Sequence, residues 1–133
     1  MEEGEAVNLL NLNFENYVQE SMSVSAQLLL KCGMQVENAI RTIIQAFESG
    51  GHMYLCGNGG SAADAQHIAA EFINGMSHLL QYPLPAIALT TDSSVITSHA
   101  NDHSFDTIFS RQLEAIGKQG DVLFGISTSG TSR

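Results

Sequence analysis

The stretch Met53-Tyr54-Leu55-Cys56-Gly57-Asn58-Gly59-Gly60-Ser61 decides the fold class. Its first four residues form a short apolar run that reads as a buried strand. The glycines that follow let the backbone turn tightly and come close to a ligand. A helical pattern then runs from about Ser61 to Asn74. Strand, glycine turn and helix in that order are the opening of an α/β domain with a parallel sheet.

The rest of the chain extends the alternation. Pro83 and Pro85 bound a loop, and Ala86-Ile87-Ala88-Leu89 reads as a second strand. Residues 93–100 and 105–116 read as helices, the second ending at Gly117. Val122-Leu123-Phe124-Gly125-Ile126 reads as a third strand and leads into Ser127-Thr128-Ser129-Gly130-Thr131-Ser132.

Two helices are expected before the first strand. Phe14 to Leu30 carries a loose helical spacing, with Gly33 placed to end it. Val36 to Ser49 carries an apolar stripe of Ala39, Ile40, Ile43, Ile44, Ala46 and Phe47, stopped by Gly50 and Gly51. Their apolar faces are expected to pack partly against another subunit, the alternative being their own sheet. Residues 1–12 show no strong period and are expected to fray.

With 133 residues there is room for one domain and one core. The formal net charge of −9 argues against a nucleic-acid surface, which needs a basic stripe. It does not argue against an anionic small ligand, because helix N-termini and backbone amides hold phosphate without lysine. No apolar run is long enough to cross a bilayer, so no membrane contact is expected. The acidic start, Glu2, Glu3 and Glu5, is unlike a secretory signal, which points to the cytoplasm. Cys32 and Cys56 show no metal spacing and read as reduced thiols, Cys32 ending a helix and Cys56, buried, ending a strand.

Three features carry chemistry. The first is the loop Gly57 to Ser61, with Ser61 as helix N-cap and the helix dipole behind it. It fits neither the Walker pattern nor GxGxxG, and a plain strand-to-helix turn is the competing reading. The second is the hydroxyl-rich loop after the third strand, able to hold phosphate oxygens, or else simply a polar surface loop. Both loops follow strand C-termini, the edge where open α/β sheets bind ligands. The third is His67 and Glu71, four apart on one helix face. Such a pair can supply two metal ligands, or its carboxylate can shuttle a proton, or it is an ordinary surface pair. His52, His78, His99 and His103 read as surface or loop histidines rather than ligands. Asp92 and Asn101-Asp102 read either as polar contacts to a sugar or as caps and Asx-turns.

The run Cys56-Gly57-Asn58-Gly59-Gly60-Ser61-Ala62-Ala63-Asp64-Ala65-Gln66-His67-Ile68-Ala69-Ala70-Glu71 resembles the signature of the phosphoheptose isomerases, within the sugar isomerase (SIS) domain family. The likeness continues through Leu84 to Asp92, Asn101-Asp102, Phe109-Ser110-Arg111-Gln112, Gly120 to Leu123 and Gly125 to Gly130. It covers roughly residues 35 to 133.

The resemblance implies a SIS-type three-layer α/β sandwich with a parallel sheet, preceded by two N-terminal helices and assembled as a homotetramer. Residues 1–34 would lie at the subunit interface. The implied reaction interconverts sedoheptulose 7-phosphate and D-glycero-D-manno-heptose 7-phosphate, in bacterial heptose and lipopolysaccharide precursor synthesis. Ser61, Ser127, Ser129 and Ser132 match phosphate-binding positions, beside the Gly59-Gly60 turn. Asn58, Asp102 and Thr128 match positions near the sugar. His67 and Glu71 match two ligands of one zinc ion per subunit, and Glu71 also matches the catalytic base. The chain reads as the N-terminal two-thirds of such a domain, with the remaining ligands and the catalytic acid expected beyond it. Two departures stand out: residues 75–82 carry no Arg or Lys where the family has several, and His103-Ser104 replace an aromatic-glycine pair. Two other readings compete: a non-catalytic SIS regulator that binds the replication initiator protein, and a sugar-phosphate sensor. Glu71, absent from that regulator, favours the enzyme.

Overall fold

The computed structural model describes residues 14–75 and 82–132. The expected fraying of residues 1–12, the Arg/Lys-free stretch from 76 to 81, His78 and Arg133 fall outside them. The chain divides into two compact units, one ending at Ala39 and the other starting at Ile40.

A single helix, α1 (Phe14–Glu48), replaces the two helices expected from the sequence. Gly33 does not end it, and Cys32 sits inside it rather than at a terminus. A glycine stops a helix by adopting the left-handed conformation. Gly33 is not among the positive-φ glycines, whereas Gly50, with φ of 77°, is. A helical glycine costs only about 1 kcal/mol relative to alanine, too little to break a run of good helix formers. Side-chain links four residues apart, Gln19 to Glu15 and Lys31 to Gln27, support the first unit's turns. Its apolar residues are unusually bare: Phe14 is 81% and Leu30 83% exposed.

The second unit is the α/β domain. After the end of α1 come β1 (Met53–Cys56), α2 (Gly60–Asn74), β2 (Ala86–Ala88), α3 (Ser93–Asp102), a 3-10 turn at Phe105–Thr107, α4 (Ile108–Ile116) and β3 (Val122–Gly125). All pairing is parallel, in the order β2-β1-β3. Met53 stands opposite Ala86 and Val122, and Leu55 opposite Ala88 and Phe124. Alternation along β1 sends Met53 and Leu55 to one face and Tyr54 to the other.

On the first face Met53 and Leu55 pack with Ala65 and Ala69 of α2 and with Ala86 and Ala88 of β2. Alanines on both sides let helix and sheet approach closely. Ile43 and Phe47 from the end of α1, Ile68 and Phe72 from α2, and Ile126 close the cluster. On the other face the Tyr54 hydroxyl donates to the Ile116 carbonyl of α4 at 3.2 Å. Helices therefore cover both faces of the sheet, giving three layers. Burial together with the nearby Asp121 charge raises the Tyr54 pKa, keeping the phenol protonated.

Smaller differences have local causes. The expected helix 105–116 splits because the Ser104 hydroxyl accepts from the Asp106 amide and tightens the first turn. Asp92 caps α3, accepting from the Val95 amide at 2.9 Å, so the capping alternative holds for it. Asn101 and Asp102 complete the last turn of α3 rather than following it.

Candidate functional site

The sheet's C-terminal edge places Cys56 and Gly125 side by side in register. The two loops that leave these residues meet. A Cβ on Gly57 would stand 2.7 Å from the Ser61 Cβ and 2.9 Å from the Ile126 carbonyl oxygen. Only glycine allows the first loop to pass so close to both the helix start and the second loop. Gly59, with φ of 59°, is the N-cap residue of α2. Ser61 is thus not the cap: it is the second residue of α2, 6% exposed, with its amide donating to the Asn58 carbonyl at 3.1 Å.

Between the loops lies an open cleft of about 320 Å³. Asn58, Ser61, Ser127, Thr128 and Ser132 line it, all read from the sequence as binding positions. Cys56, Phe109 and Ile126 form the apolar part of its wall. Among the described residues no Lys or Arg lines it. The start of α2 adds the positive end of its dipole. Such a site suits an anion with several oxygen acceptors, such as a phosphate.

The second loop is held by its own hydroxyls. Ser127 Oγ accepts from the Gly130 amide at 3.0 Å and meets Ser132 Oγ at 3.0 Å. Gly130 has φ of 66°, which bends the chain back to make these bonds. Ser129 Oγ accepts from the Thr131 amide and hydroxyl and does not line the cleft. Gly59 and Gly60 shape the first turn but do not line the cleft either. Cys56 is half-buried rather than buried, and desolvation raises its thiol pKa, so the neutral thiol faces the cleft.

Three positions matched to the site stand apart from the cleft. Asp102 is exposed at the end of α3, accepting from the Asn101 side chain at 2.8 Å. His67 is exposed and Glu71 half-buried, further along α2. Glu71 lies ten residues past Ser61, about 15 Å of helical rise. Among the described residues no three His, Cys, Asp or Glu side chains converge as a metal site. Phe109 was not singled out in the sequence as a site residue. It sits on an ordinary apolar stretch of α4, and only packing across some fifty residues brings it beside Gly57.

Comparison with known proteins agrees with this architecture. A SIS domain family model matches residues 16–133. The chain is 54% identical over 101 residues to a phosphoheptose isomerase of Synechocystis, covering 76% of this chain and 51% of that one. It is 49% identical over 124 residues to a phosphoheptose isomerase of Clostridium acetobutylicum, covering 89% and 63%. Among solved structures, a phosphoheptose isomerase from Francisella tularensis superposes with a TM-score of 0.79 at 34% identity, over 87% of this chain and 60% of that one. That of Neisseria gonorrhoeae gives 0.63 at 42% identity, over 86% and 63%. The chain thus spans between about half and two thirds of the length of these relatives. A glycine turn and a serine loop meeting at the edge of a parallel sheet, with a family model running through both, make this chain a member of the SIS domain family.

Proposed function

We propose that the protein is an aldose–ketose isomerase that interconverts sedoheptulose 7-phosphate and D-glycero-D-manno-heptose 7-phosphate. The observation that carries this reading is the neutral cradle of Ser61, Ser127, Thr128 and Ser132 at the start of α2. It offers hydroxyls and amides to a phosphate and leaves the sugar to extend past Asn58. The phosphoheptose isomerase names borne by relatives of this identity support a heptose phosphate as the substrate. The reaction would contribute to heptose precursors of surface lipopolysaccharide, in the cytoplasm. Among the described residues no helix is long and apolar enough to cross a membrane.

Isomerisation removes a proton from C1 of the ketose and returns it to C2, through an enediol. Glu71 is the carboxylate proposed for that transfer. The cradle grips the remote phosphate, and this binding positions the reacting end. Asn58 is placed to bond a sugar hydroxyl. Asp102 reaches the sugar only if the end of α3 is turned toward an occupied site.

Glu71 does not line the cleft that Ser61 lines. The proposed remedy is assembly: a second copy brings its own Glu71 over this cleft, within a homotetramer. The bare apolar residues of α1, Phe14, Met22 and Leu30 among them, fit a helix that packs on other copies.

His67 and Glu71 are nitrogen and oxygen donors of the kind zinc accepts, and we assign them as two of its ligands. A catalytic zinc usually takes three protein ligands, and no third converges among the described residues.

The test is turnover on sedoheptulose 7-phosphate, with zinc content measured alongside, for the full-length protein and for Glu71→Gln. Turnover lost in a folded variant supports the isomerase. A wild type that binds phosphate but turns nothing over sinks the enzyme reading in favour of a binding-only SIS regulator.

A further inference from the structure

The geometry points to a second metal site, separate from the cleft, in which His99 and His103 chelate a transition-metal ion of the imidazole-preferring kind. Both read from the sequence as surface or loop histidines, yet His99 lies in the last turn of α3 and His103 is the C-cap residue that follows it. Their ring centroids are 4.8 Å apart, tilted by 34°. Two imidazoles that meet one ion at roughly a right angle, each through a nitrogen at about 2.0–2.1 Å, place their ring centres close to that distance. His103 is exposed, and its ring can turn about Cβ–Cγ to face the same point.

His99 is already set up as a ligand. Its Nε2 lies 2.8 Å from Thr107 Oγ1. The Thr107 hydroxyl has one proton and donates it to the Ser104 carbonyl at 3.3 Å. When the hydroxyl keeps that bond it accepts from Nε2–H, and the lone pair of the neutral imidazole lies on Nδ1. A histidine whose second nitrogen is held by a hydrogen bond is the usual arrangement at a metal. The backbone supports the pair as well, since the His103 amide donates to the His99 carbonyl at 2.9 Å.

A separate open cleft of about 360 Å³ adjoins both rings, lined also by Thr107, Ser110, Arg111 and Glu114. Its charges cancel: Arg111 Nη1 donates to Glu114 Oε2 at 3.2 Å. Among the described residues an anion would find no unpaired Lys or Arg there, whereas a divalent transition-metal ion finds an imidazole lone pair. Since no third His, Cys, Asp or Glu joins the pair among the described residues, water would complete the coordination. First-row divalent ions such as nickel, copper and zinc take imidazole readily.

The probe is Ni²⁺ titrated calorimetrically into the full-length wild type, His99→Gln, His103→Gln, Thr107→Val and His67→Gln, each checked by its melting temperature. His103→Gln is expected to abolish the binding event that survives in His67→Gln, and so is His99→Gln. Thr107→Val, which frees the His99 ring, should weaken it about 10-fold or more. His67→Gln should leave it in place, which separates this site from any ion held beside Glu71. If His99→Gln fails to fold, His103→Gln carries the test alone, because it changes an exposed side chain. An isotherm unchanged by His103→Gln overturns the site. So does an isotherm lost in His67→Gln and kept in His103→Gln.

Discussion

The amide of His52 donates to Asp121 Oδ1 at 2.8 Å, and its ring Nδ1 stands 3.6 Å from the same oxygen. The other carboxylate oxygen accepts from the Lys118 amide at 2.7 Å. One side chain thus ties the start of β1 to the turn that feeds β3, across 69 residues. The Val122 amide, donating to the His52 carbonyl at 2.9 Å, continues the same seam. Gly51 belongs to it too: a Cβ there would stand 2.7 Å from the Gly120 carbonyl oxygen.

These bonds favour the ionised carboxylate, so the Asp121 pKa lies below its ordinary value, chiefly through the His52 amide and then the Lys118 amide. A depressed acid stabilises the fold fully above its unfolded pKa, about 4. That contribution is lost as the pH falls through the lower, folded value. Asp121→Asn should melt at a lower temperature at neutral pH. It should also lose less on acidification than the wild type does. Thermal melts of both proteins from neutral pH down to about pH 3 check this. Parallel curves would show that the carboxylate's charge plays no part.

Gly57→Ala tests the close passage of the first loop. The added methyl meets Ser61 and the Ile126 carbonyl, so one loop must move. Overpacking of this kind costs about 1–3 kcal/mol. We expect a folded protein of lower melting temperature whose phosphate binding is lost, read by calorimetry with inorganic phosphate. Unchanged phosphate affinity would mean that the two loops do not form one site.

Ser127→Ala removes the acceptor of the Gly130 amide and the partner of Ser132. Loss of one such bond is worth about 1 kcal/mol. With the loop loosened as well, sugar-phosphate affinity should fall roughly ten-fold. Because the loop is exposed, the melting temperature should hardly change. A large fall in stability with affinity intact would assign Ser127 to the fold instead.

Assembly of the site from two copies predicts complementation. Glu71→Gln and Ser127→Ala should each be poorly active alone. Mixed by co-expression, they should recover part of the wild-type turnover, since some sites then combine an intact cradle with an intact Glu71. Recovery no greater than the sum of the two variants would place both groups in one subunit.

Much of this molecule could be read from its sequence where the signal is local. Met53 to Cys56 and Val122 to Gly125 are short apolar runs with turns behind them, and both are strands. The serine loop and the glycine turn meet as their position after parallel strands requires. Gly33 misled because a glycine permits a helix stop without enforcing one. Ser61 reads as the cap from its side chain alone, whereas the actual cap, Gly59 two residues earlier, has no side chain to signal it. Phe109 and the Asp121 seam depend on packing between distant segments, which no window of sequence displays. His99 and His103 carried their spacing openly, but Thr107, the residue that fixes the ring, becomes relevant only once the 3-10 turn folds it back.

The cradle between the loops has one more consequence. It is built from amides and hydroxyls, in a chain whose net charge is −9. Ion pairs at a surface are screened as ionic strength rises, because mobile ions compete over distances of about 10 Å. Fixed dipoles in contact with their ligand act over a much shorter range. With no described Lys or Arg at the cradle, affinity for a phosphate ester should therefore vary little with salt. Selectivity must come from how many oxygens the cradle can satisfy at once, so a sulfate monoester, with one fewer ionisable oxygen but the same shape, is the competitor that such a site is least equipped to reject.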